Sequence, residues 1–242
     1  MHDRSMTTLI VMPGTGSDAD YAARVFGPAA ASIGARLVSL EPESDLVNSY
    51  STRLDQVAAE GDDLLVGGIS IGAAIAVEWA LRSPLAQHCR GVLAALPPWS
   101  GPAADSLAAL SARLTADAIE RDGLAAAVAQ MVRTSPAWLG AELSRSWRSL
   151  ADRGLVEQLR AAAAHAAPAE SELSALTVPL GVAAAPDDPL HPVEVGRAWA
   201  AYAPRAAVRA VPLTEFGPAP HRLGDACAAA WRDASAAAPA EA

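Results

Sequence analysis

Residues 63–83 read DDLLVGGISIGAAIAVEWALR. The apolar run Leu64 to Ile69 passes through Gly68-Ile69-Ser70-Ile71-Gly72 straight into a helical pattern, so the stretch predicts a strand, a sharp turn and a helix. A turn this tight forces its central residue toward positive φ, which is tolerated only where the neighbours carry no side chains. Gly68 and Gly72 supply that space on either side of Ser70. The Ser70 hydroxyl then stands free at the C-terminal end of its strand. The Ile71 amide falls at a helix N-terminus, where negative charge is stabilised.

Working outward, the same alternation recurs. Thr7 to Met12 is a short apolar run that ends in Pro13-Gly14-Thr15-Gly16, with Ser17 as the expected N-cap of the next helix and Asp20 in a capping-box-like position. Further strands are predicted over Ala35 to Leu40, Arg90 to Leu96, Pro179 to Ala183 and Ala207 to Leu213, with a helix after each of the first and last pairs. Between Ser100 and about Ala169 the strand pattern is missing. Leu107, Leu110 and Leu114 form one helical stripe there, and Leu139, Leu143, Trp147 and Leu150 form another. The organisation expected is an α/β doubly wound parallel sheet of about six strands, built from residues 1–99 and 170–242, with residues 100–169 as a helical insertion.

Composition narrows the function classes. The 242 residues are 52% hydrophobic, enough to fill one sizeable core. A net charge of −9 with no basic run argues against a nucleic-acid partner, which would need clustered Lys and Arg, and nothing favours an anionic membrane. Cys89 and Cys227 stand apart without CxxC spacing, and no apolar run reaches the roughly 18 residues of a membrane span. A cytoplasmic protein with reduced thiols is expected. No GxxxxGK[ST], no G-x-G-x-x-G at the first turn, no HExxH and no spaced Cys/His set is present, so no cofactor and no metal is expected.

The segment Gly68-Ile69-Ser70-Ile71-Gly72, between strand and helix, resembles the G-x-S-x-G nucleophile elbow of the α/β-hydrolase family. The resemblance implies a core trimmed of the antiparallel hairpin that usually precedes the first of these strands, and a cap or lid over the serine at residues 100–169. It implies Ser70 as nucleophile. The segment Asp188-Pro189-Leu190-His191-Pro192 looks like the family's acid loop, where the aspartate stands directly before a proline, which selects Asp188. A plain acidic turn before a helix is the other reading of Asp187-Asp188. The backbone amides of Thr15 and Ile71 become the oxyanion donors, although the family commonly has His-Gly where this chain has Pro13-Gly14. A glycine-rich turn before a capped helix would explain the first loop equally well.

The base is settled by topology only in part. In a parallel sheet the groups able to meet Ser70 must follow strands. That sets aside His2, His88 and His165 and leaves His191 and His221. His191 lies three residues beyond Asp188 on a loop stiffened by Pro189 and Pro192, whereas His221 arrives on a separate loop. His221 is therefore preferred, with His191 as a pocket residue or the alternative base. The loop Gly217-Pro218-Ala219-Pro220-His221 lacks the family's usual Gly-His pair. The implied activity is hydrolysis of an ester or thioester of a small, mostly apolar acyl group through an acyl-enzyme. Acyl-CoA or acyl-carrier thioester hydrolysis stays open as an alternative, as does a binding protein whose triad has failed.

Overall fold

The computed structural model describes residues 7–61, 63–103 and 106–237, and all structural statements below concern these residues. His2 lies outside them. The first half runs β1 (Thr8–Met12), α1 (Ala19–Ser32), β2 (Arg36–Ser39), α2 (Leu46–Ala59), β3 (Leu64–Ile69), α3 (Ile71–Arg82) and β4 (Cys89–Ala95). Four helices follow without a strand: α4 (Leu107–Asp122), α5 (Leu124–Thr134), α6 (Ala137–Leu150) and α7 (Leu155–Ala164). The chain then closes with α8 (Glu170–Leu173), β5 (Leu180–Ala184), α9 (Val193–Tyr202), β6 (Ala206–Ala210), α10 (Leu213–Phe216) and α11 (His221–Ala236).

All six strands pair in parallel in the order β2-β1-β3-β4-β5-β6. The central strands β1, β3, β4 and β5 are buried on both faces, which is why they read as continuous apolar runs rather than alternating ones. Successive side chains still divide between the two faces. Leu9 and Val11 pack with Phe26 of α1 and Leu223 of α11, while Ile10 and Met12 pack with α2 and α3 on the other side. The edge strands β2 and β6 are partly exposed and carry Arg36 and Arg209, whose charge discourages a further strand from pairing there. No described helix is long and apolar enough to cross a membrane.

Two local expectations change. The N-cap of α1 is Asp18, whose side chain accepts from the Tyr21 amide; Ser17 lies one residue earlier, in the turn that its amide closes on the Gly14 carbonyl. In α4 the leucine stripe faces solvent: Leu107, Leu110 and Leu114 are 54%, 41% and 57% exposed. Ala109, Ala112 and Ala116 form the buried face instead, since their small side chains let α4 lie close against α7. The α6 stripe behaves as expected, with Trp147 and Leu150 buried.

Candidate active site

Ser70 has φ 54° and ψ −117°, in the left-handed half of backbone space that a serine enters only under constraint. Its neighbours allow the turn. A Cβ on Gly68 would strike the Gly72 backbone, 2.6 Å from its carbonyl oxygen, and a Cβ on Gly72 would strike the Met12 and Pro13 carbonyls. Strand, loop and helix backbones therefore meet at van der Waals distance around the serine. The β1–α1 loop also passes close by: a Cβ on Gly14 would lie 3.5 Å from the Ser70 Cβ.

The serine hydroxyl lies 2.9 Å from His191 Nε2, and His191 Nδ1 lies 2.7 Å from Asp188 Oδ2. This corrects the preference for His221. That residue is the exposed first residue of α11 and does not reach the cavity beside Ser70. The spacing of three residues between Asp188 and His191 proves no obstacle, because the aspartate makes the turn that uses it. One carboxylate oxygen, Oδ1, accepts the amides of Leu190 at 2.9 Å and His191 at 3.4 Å. The chain folds back around Pro189, and the imidazole swings over the second oxygen of the same carboxylate. Asp187 takes a different part, accepting the Leu213 amide at 2.7 Å and tying this loop to the start of α10.

Burial alone would raise the Asp188 pKa, but hydrogen bonds from the His191 ring and the two amides more than offset it and hold the carboxyl below its ordinary value. An ionised carboxylate only accepts, so His191 Nδ1 carries the hydrogen and donates to it. In the neutral ring Nε2 is then the acceptor for the Ser70 hydroxyl. That arrangement can take a proton from the serine and return it to a leaving group.

Thr15 lines the cavity beside Ser70, and Ile71 is the first residue of α3. Among the described residues neither amide donates to a protein acceptor.

Above Ser70 is a cavity of about 210 Å³. Its walls come from the core through Leu96, Trp99, Leu213 and Phe216, and from the insertion through Trp138, Leu139, Leu143, Trp147 and Leu159. The three tryptophans both pack and line it. Trp138 meets Phe216 edge to face at 5.8 Å, and Trp99 Nε1 donates to the His165 carbonyl at the end of α7. No Lys or Arg is among the lining residues. Glu142 is, but it pairs with Arg24 and Arg145; Tyr21 is held as a neutral phenol, its pKa pushed up to about 12 by burial and by the Glu142 charge.

The other candidates stay outside this site. His88 ends a short 3-10 turn before β4, and His165 approaches Glu78 at 3.0 Å. Both cysteines are free and buried, with burial raising the Cys89 thiol to about 11. No group of His, Cys, Asp or Glu among the described residues is arranged to hold a metal ion.

No protein-family model and no curated sequence matches this chain. Its fold, by contrast, is shared widely among solved structures. An enol-lactonase from Burkholderia xenovorans LB400 is 17% identical with a TM-score of 0.69, over 98% of this chain and 94% of that one. A bromoperoxidase from Bacillus anthracis is 12% identical with a TM-score of 0.69, over 92% and 90%. A thermophilic esterase from Thermogutta terrifontis is 15% identical with a TM-score of 0.62, over 86% and 81%. The six-stranded parallel sheet, the serine elbow at its C-terminal edge and the helical insertion after β4 are those of the α/β-hydrolase fold.

Proposed function

We propose that this protein is a serine hydrolase that cleaves esters or thioesters of a small, mostly apolar acyl group. The observation that carries the reading is the hydrogen-bonded chain Ser70–His191–Asp188 at the floor of an apolar cavity. The fold neighbours, which include an esterase and an enol-lactonase, support a hydrolytic rather than a purely binding role. Ser70 Oγ attacks the acyl carbonyl while its proton passes to His191 Nε2; Asp188 holds the resulting imidazolium, and the Thr15 and Ile71 amides receive the oxyanion. The tetrahedral adduct collapses, His191 gives its proton to the leaving oxygen or sulfur, and the acyl group remains on Ser70. Water deprotonated by the same imidazole then releases the acid and restores the serine.

The cavity walls favour a neutral acyl chain, because no lining cation would compensate a buried substrate carboxylate. Helices α4, α6 and α7 act as the cap that supplies about half of those walls. The buried, unpaired cysteines are in keeping with a cytoplasmic setting. Turnover of p-nitrophenyl esters and acyl-CoAs of graded chain length tests the reading, together with labelling by a fluorophosphonate probe that Ser70→Ala abolishes. A wild-type protein that ignores both the esters and the probe, yet binds a small apolar ligand, would make it a binding protein instead.

A further inference from the structure

Helix α6 touches the β1–α1 loop with three consecutive residues. Arg145 reaches Asp18 with both arms of its guanidinium, Nη1 to Oδ2 and Nη2 to Oδ1, each at 2.7 Å. Ser146, fully buried, donates its hydroxyl to the Gly16 carbonyl at 2.7 Å. Trp147 lays the Nε1 edge of its indole over Gly16, where a Cβ would come within 2.7 Å of it. Gly16 has φ 73°, and the Gly14-Thr15-Gly16 segment carries no side chain larger than threonine to hold it in one conformation.

We infer that Arg145 and Ser146 are positioning residues, which hold the oxyanion loop from the insertion side and so fix the Thr15 amide against Ser70. This rests on the reading of Ser70 as nucleophile and of Thr15 as oxyanion donor. From the core side the loop is held by the Ser17 amide on the Gly14 carbonyl, by Asp18 capping Tyr21, and by the Ala19 amide on Glu41. The first closes the turn on itself, the other two act on its exit into α1, and none binds the Gly16 carbonyl. The α6 contacts anchor the turn from outside: Ser146 holds the carbonyl of the residue after the donor, and Arg145 clamps the residue that ends the loop. An oxyanion donor acts through preorganisation, since a donor that wanders by about an ångström contributes little at the moment charge develops. The insertion would therefore do more than roof the cavity, because one of its helices completes the catalytic floor.

Arg145 is 41% exposed along its side chain, so replacing it removes the clamp with little loss of packing. The variants are Ser146→Ala, Arg145→Met and Arg145→Lys, with Arg160→Ala as control. Arg160→Ala also deletes a tie of the insertion, from α7 to Asp117 and Glu120 of α4, but one that touches neither the loop nor a cavity-lining residue. Two quantities are read in each: amide hydrogen exchange of a peptide covering residues 13–18, and kcat and KM for an activated ester. Faster exchange there, with kcat lower by about tenfold or more and KM within about twofold, is expected for Ser146→Ala and Arg145→Met, because donors that act only in the transition state move kcat alone. Arg145→Lys recovers part of both effects and Arg160→Ala shows neither. Unchanged exchange, or faster exchange with unchanged kcat, or a change confined to KM, would overturn the positioning role while leaving the hydrolase reading intact. A wild type inert to ester and to the fluorophosphonate probe would instead overturn the hydrolase reading, and the positioning role with it.

Discussion

The loops after β5 and β6 have similar sequences and opposite outcomes. Both are proline-rich, both leave the same sheet edge, and each has a histidine at or just before the start of a helix: Asp187-Asp188-Pro189-Leu190-His191-Pro192 before α9, and Gly217-Pro218-Ala219-Pro220-His221 at α11. The first bends around its own aspartate, so that one carboxylate oxygen binds two amides and the other receives the imidazole. The second has no such acceptor and instead coils into α10, which sends Leu213 and Phe216 into the cavity wall and leaves His221 on the surface. A short acid-to-base spacing excludes a pairing only if the chain between the two is extended, and an aspartate able to cap its own downstream amides removes that condition.

Ser70→Ala is expected to lower ester turnover by about 10⁴-fold or more with an unchanged melting temperature, because the lost hydroxyl opens no core cavity. Asp188→Asn is expected to lower kcat by about 10³ to 10⁴-fold by freeing the imidazole to adopt the wrong tautomer. The neighbouring Asp187→Asn, which touches only the Leu213 amide, should stay within about threefold of wild type; equal losses at 187 and 188 would contradict the assignment of the acid. Gly16→Ala places a side chain at φ 73° and against the Trp147 indole, so a loss of about 1–2 kcal/mol in unfolding free energy is expected, accompanied by lower kcat.

The smallest effect is on acid stability. The folded pKa of Asp188 lies below its ordinary value, so the ionised form is the one the fold favours. Its contribution is complete above the unfolded pKa, about 3.9, and disappears as pH falls through the lower folded value. Asp18, similarly buried and held down by Arg145 and the Tyr21 amide, follows the same sign. Melting temperature measured between pH 5 and pH 3 should therefore fall less steeply in Asp188→Asn than in the wild type. A steeper fall in the variant would mean that Asp188 is not stabilised as a carboxylate.

Much of the architecture was legible in the sequence for physical reasons that particular residues display. The buried strands are continuous apolar runs, and the elbow announces itself because Gly68 and Gly72 are needed wherever three backbones converge on one serine. The α4 leucine stripe points the wrong way because a large apolar side chain is no guide to the buried face where the gap to α7 is narrow and Ala109, Ala112 and Ala116 fill it. The turn closed on the Gly14 carbonyl takes in Ser17, so α1 starts one residue later and Asp18 caps it. Spacing favours His221 over His191, whereas the contacts of His191 with Ser70 and Asp188 depend on the aspartate turn, a detail of hydrogen bonding that spacing does not carry. The grip of α6 on the oxyanion loop joins residues 127 and 130 positions apart, for which no local pattern exists.

The central claim is that the loop after β5 supplies both the acid and the base, and paired variants of the two histidines test it most directly. His191→Ala and His221→Ala would be compared by kcat for an activated ester at neutral pH, with melting temperatures to confirm that each folds. The expected result is a loss of about a thousandfold or more for His191→Ala and a change within about twofold for His221→Ala. A large loss for His221→Ala beside a small one for His191→Ala would contradict the account.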